Sequence, residues 1–82
     1  MLNIIKRMHV SLMLIKDEFN FEKVVSIAFK HCPKEFTKQQ ILELATNVLD
    51  DELNEGTIKL LKDGTYMTMF AYGNYVSSSQ EK

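Results

Sequence analysis

Only one cysteine, one proline, three glycines and no tryptophan occur in these 82 residues. With Cys32 alone no internal disulfide can form, which excludes the stapled scaffolds of small secreted domains and points to a cytoplasmic protein. A long apolar run is also lacking. The uninterrupted run of the opening, Leu12 to Ile15, is four residues, whereas a membrane span takes roughly 20. Lys6, Arg7, His9 and Lys16 bracket that run and no small-residue cleavage site follows, so it does not read as a signal peptide. The glycines, Gly56, Gly64 and Gly73, stand too far apart to build a phosphate cradle.

Catalytic and metal-binding patterns are equally scarce. His31 and Cys32 are adjacent, and neighbouring helical residues point about 100° apart, so they form no hydrogen-bonded dyad. Cys32 reads as a small buried thiol on an apolar stripe. His9 has no cysteine or histidine at ligand spacing. The acidic run Asp50, Asp51, Glu52 and Glu55 lacks the alternating oxygens and turn glycine of a calcium loop. No catalytic residue, metal site, cofactor or small-molecule substrate is therefore expected, and the chain reads as a non-enzyme.

What is present is enough apolar and charged residue, 45% and 26%, for one small globular domain spanning 1–82. A chain this short buries only about 60–65% of its unfolded surface, so its stability margin is thin. Charge is uneven along it. Residues 1–40 hold seven Lys/Arg against four acids, while residues 41–82 carry a net charge of −4.

Three helices are expected. Met1, Ile5, Met8, Leu12, Ile15 and Phe19 form a heptad-like stripe, giving a helix over about 2–16. Phe21, Val24, Val25, Ala28, Phe29 and Cys32 mark a second over about 21–32, capped by Asn20 and ended by Pro33. The stretch "FTKQQI" supplies Thr37 as cap, Gln40 as its capping-box partner and a Phe36–Ile41 staple. A third helix over about 38–49 follows, stopped by the polar "DDELNE".

The segment "TIKLLKDGTYMTMFAYGNYVSSS" decides the rest. Asp63-Gly64 is a strong two-residue hairpin signal, and Gly73-Asn74 reads as a second. The first turn pairs Leu61 with Tyr66, Leu60 with Met67, Lys59 with Thr68 and Ile58 with Met69. An antiparallel meander with strands near 57–62, 65–72 and 75–79 results. Its inner face carries Ile58, Leu60, Met67, Met69, Ala71 and Val76; Tyr66, Phe70, Tyr72 and Tyr75 lie opposite. The expected class is α+β, with three N-terminal helices packed on a small C-terminal sheet.

Residues 36–77 also resemble a winged helix. "FTKQQILELA" is similar to its second helix, "LNEGTIKLLKDG" to its recognition helix and "FAYGNYVSS" to its wing. That alternative implies DNA binding through Thr57, Lys59 and Lys62. Phosphate neutralisation supplies most non-specific DNA affinity, and the surface that would meet phosphates carries Asp50, Asp51, Glu52 and Glu55 against only those two lysines, so DNA is the less favoured partner.

Two features favour a protein partner instead. The aromatic face Tyr66, Phe70, Tyr72 and Tyr75 is an apolar patch of the kind that marks interfaces. The stripe Met1, Ile5, Met8 and Leu12 has the spacing of a dimerising helix, so a homo-oligomer is a second expectation. In length, and in the opening "MLNIIKRMHVSLMLIKDEFNFEKVV", the chain resembles the small early regulatory proteins of T-even bacteriophages, the cytoplasmic rapid-lysis antiholins among them. That resemblance implies a phage-encoded, cytoplasmic protein that restrains host-cell lysis by binding the cytosolic segment of a holin. It carries no functional residue across.

Overall fold

The computed structural model describes residues 2–73, and within them the α+β class holds: three helices, a two-stranded antiparallel sheet and a short helical turn. Helix α1 spans Leu2–Met13, α2 Phe21–His31 and α3 Lys38–Glu55; strands β1 and β2 span Ile58–Leu60 and Tyr66–Thr68. One core joins them. Met8 and Leu12 from α1, Val24, Ile27 and Ala28 from α2, five residues of α3 from Ile41 to Leu49, Phe19 and Ile58 are all buried in it.

The helix caps follow the sequence closely. The Asn20 side chain accepts from the Lys23 N–H at 3.0 Å. Thr37 and Gln40 complete the capping box, with Gln40 N–H to Thr37 Oγ1 at 3.1 Å and Thr37 N–H to Gln40 Oε1 at 2.8 Å. Cys32 takes an extended conformation at the end of α2, as the following proline demands. The faces need one correction: Ile27 is buried in α2, whereas Phe29 points to solvent.

Two helix boundaries depart from expectation. Helix α1 ends at Met13 rather than near 16, because the chain is drawn out to pair Phe19 with Tyr66. Two backbone bonds make that pairing, Phe19 N–H to Tyr66 O at 2.9 Å and Tyr66 N–H to Phe19 O at 2.7 Å. Helix α3 runs six residues past the expected end. Its polar tail continues the helix because Glu52 and Leu53 extend the inward stripe of Val48 and Leu49. Gly56, at φ 81°, then closes it. Thr57 N–H reaches Glu52 O at 3.0 Å and Gly56 N–H reaches Leu53 O at 3.2 Å, a Schellman arrangement. A Cβ on Gly56 would touch nothing, so Gly56→Ala should cost only the backbone strain, about 1 kcal/mol in a urea melt.

The hairpin forms where expected but in a different register. Ile58 faces Thr68, Lys59 faces Met67 and Leu60 faces Tyr66, one residue removed from the expected pairing. A two-residue type I′ turn needs positive φ at both Asp63 and Gly64, and only Gly64 has it. The chain instead makes a three-residue loop, Lys62 to Gly64, with Gly64 N–H on Leu61 O at 3.1 Å and Leu61 N–H on Thr65 O at 2.8 Å. The Asp63 carboxylate accepts from the Thr65 hydroxyl at 2.6 Å and the Thr65 N–H at 3.1 Å, which holds its pKa below the ordinary value.

That extra loop residue moves Tyr66 and Thr68 onto the face of Ile58. Thr68 is fully buried, and its hydroxyl accepts the Ala71 N–H at 3.1 Å, capping a helical turn over 69–73. The expected strand 65–72 therefore stops at Thr68. Asn74 of the second turn and the strand 75–79 lie outside the described residues. The segment read as a recognition helix is also corrected, since Ile58–Leu60 is a strand.

Candidate protein-docking groove

Helix α3 sets two side-chain rows side by side. Gln40, Leu44 and Val48 follow at i, i+4 and i+8, and Glu43, Asn47 and Asp51 form the next row. Ile5 of α1 and Phe36, from the loop before α3, stand against them, and together these eight residues line a groove of about 360 Å³. Ile5 and Phe36 are half-buried, so both keep apolar surface in the groove, while Glu43, Asn47 and Asp51 are exposed along its rim. The capping box orients this end of α3, and the Met8 and Leu12 side chains fix the α1 wall from beneath.

A larger hollow of about 670 Å³ lies around Ile15–Asn20, Lys23 and Thr65. Its charges, Lys16 and Lys23 with Asp17 and Glu18, are mixed, so it selects no sign of partner.

The residues expected to form an interface are dispersed. Met8 and Leu12 are both 0% exposed and belong to the domain's own core. Ile5 lines the α1–α3 groove, and Met1 lies outside the described residues. Tyr66 packs against the core, with its ring 6.0 Å from that of Phe19. Tyr72 is half-buried beneath Lys59, whose Nζ sits 5.1 Å from the ring centre. Phe70 is 77% exposed, as an interface residue would be; Tyr75 lies outside the described residues. The change of register moves Tyr66, and the helical turn over 69–73 takes Phe70 and Tyr72 out of the sheet; together they break up the expected aromatic face.

The residues of the DNA alternative fare no better as a unit. Thr57 is held internally, its hydroxyl donating to Glu52 Oε2 at 2.6 Å, while Lys59 and Lys62 are exposed. No family model, curated protein or solved structure matches this chain.

Sequence reasoning missed a polar linkage between α1 and the end of α3. Glu52 is 6% exposed, and its carboxylate accepts from His9 Nδ1–H at 2.7 Å as well as from Thr57. The pair ties α1 to the end of α3. His31 does not address Cys32; its Nε2 meets Ser11 Oγ at 3.0 Å, a second tie to α1. Burial pushes the Cys32 thiol up in pKa, away from the reactive thiolate. Nothing in the residue types foretold the His9–Glu52 pairing, because 43 positions separate them.

Proposed function

We propose that the chain is a non-enzymatic regulatory protein that acts in the cytoplasm by binding another protein along the α1–α3 groove. The groove itself carries this reading: half-buried Ile5 and Phe36 keep apolar surface beside the exposed polar row Glu43, Asn47 and Asp51, and α3, which bears that row, is held by its capping box. Interfaces of that anatomy place apolar anchors at the centre and polar groups at the edge. No helix among the described residues is long and apolar enough to cross a membrane. With the resemblance to T-even early regulators, the partner proposed is the cytosolic segment of a membrane protein such as a holin, and the role is restraint of host-cell lysis.

The test is affinity capture from the native host, with Asn47→Trp beside the unaltered chain. Asn47 is exposed on the rim, so a large ring there fills the groove without disturbing the core. The reading expects one specific protein, a holin in its particular form, to be retained by the unaltered chain and lost with Asn47→Trp. Equal recovery by both would remove the groove from the account.

One observation favours a second reading. The order α1, the Phe19 segment, α2, α3, β1, β2, with Tyr66 paired to Phe19 on one side and Leu60 on the other, is the order of a winged helix. In that frame α3 is the recognition helix and Lys62–Gly64 the wing. Yet α3 carries one cation, Lys38, against Glu43, Asp50, Asp51, Glu52 and Glu55. A helix of that charge laid in a DNA groove meets phosphates with like charge. The expected result of a gel shift with duplex DNA at about 0.15 M salt is no retarded band; a salt-sensitive complex would favour the winged-helix regulator.

A further inference from the structure

We infer that the segment recognised by the α1–α3 groove is a cationic amphipathic helix of the partner protein. This rests on the protein-binding reading of the groove and adds the chemistry of its occupant. Three observations carry it. First, no Lys or Arg among the described residues pairs with the rim acids Glu43 and Asp51; Glu43 Oε1 accepts from a neutral amide, Gln39 Nε2, at 3.3 Å. Second, α3 places Asp50, Asp51, Glu52 and Glu55 in its last six residues, with no basic residue in its final turn. Negative charge at a helix C-terminus opposes the macrodipole, so a partner's cations relieve a repulsion already present in the free protein.

Third, the geometry is that of a helix seat. The rim acids stand eight residues apart on α3, about 12 Å along its axis. Lysines or arginines two turns apart on an occupying helix would meet both. In the same groove, Ile5 and Phe36 offer apolar surface to the apolar side chains of that occupant. A groove of about 360 Å³ holds such anchors, while the body of the helix lies above the rim.

The test is an amide chemical-shift titration of the full chain with two helical peptides of about 14 residues. They share one leucine pattern, with lysine on the polar face of one and glutamate on that of the other. The Leu/Lys peptide is expected to shift Ile5, Phe36 and residues 40–51 saturably, with about tenfold weaker binding to Glu43→Lys/Asp51→Lys. That double variant is expected to prefer the Leu/Glu peptide and to melt no lower than the parent, since both sites are exposed.

Equal binding of both peptides in the groove would overturn the charge assignment and leave the protein-binding reading standing. Shifts confined to the hairpin or the loop 14–20 would overturn the inference. If neither peptide binds while native capture still depends on Asn47, the occupant is of another chemistry and the inference alone falls. If neither binds and Asn47→Trp captures as well as the parent, both fall.

Discussion

Truncating Leu12 to alanine should lower the unfolding free energy by about 2–5 kcal/mol. Leu12 is fully buried in the cluster shared by α1, α2 and α3, so its missing atoms leave a cavity. Met8→Ala should fall in the same range for the same reason. For a domain whose whole stability is of order 5–15 kcal/mol, either loss moves the midpoint of a urea melt far down at unchanged slope. The contrast with a docking stripe is sharp. If Met8 and Leu12 faced a second copy, alanine there would spare the monomer and change only the concentration dependence of the melt. We expect the opposite outcome, a stability loss independent of protein concentration.

The second large effect is expected at Glu52. Replacing it with alanine removes the acceptor of both the His9 ring and the Thr57 hydroxyl, at a cost of about 1–3 kcal/mol. His9 is partly exposed and can turn to water, whereas the half-buried Thr57 hydroxyl keeps only its bond to the Glu52 carbonyl oxygen. His9→Ala is the more informative partner, because it leaves a buried carboxylate held by Thr57 alone. A double-mutant cycle over His9 and Glu52, read by urea melts, should give a coupling of about 1 kcal/mol. Strict additivity would show that the α1–α3 tie does not contribute.

The caps were legible because they are local. Asn20, Thr37 with Gln40, and Pro33 act within four residues of where they stand, and each set its helix end as the sequence implied. Boundaries set by distant contacts were not legible. The end of α1 is decided by Phe19 reaching Tyr66, and the length of α3 by the pairing of Glu52 with His9. The hairpin shows the same division. Its position was plain from Asp63-Gly64, but its register turned on whether Asp63 would take positive φ, which residue identity alone leaves open.

That one choice had the largest consequence for the site. The expected partition of aliphatic and aromatic side chains depended on the pairing, and with the longer loop Tyr66 moved onto the face of Ile58; Leu60, at the loop end of that same face, is exposed. Thr68, an ordinary strand residue by type, became the cap of a helical turn. The groove was hidden for a different reason. Its walls come from Ile5, Phe36 and one flank of α3, three places whose proximity follows only from how α1 crosses α3. The acidity of the second half of the chain was visible throughout, yet without α3 continuing to Glu55 it looked like a solvated loop.

The most direct measurement is site-specific photocrosslinking in the native host from Asn54, an exposed residue on the groove flank of α3, seven positions beyond Asn47. We expect one discrete protein adduct from position 54, lost when Asn47→Trp is added and absent from Ser26 on the exposed side of α2. An adduct that survives Asn47→Trp, equal labelling from Ser26, or an adduct to nucleic acid would contradict a protein-docking groove between α1 and α3.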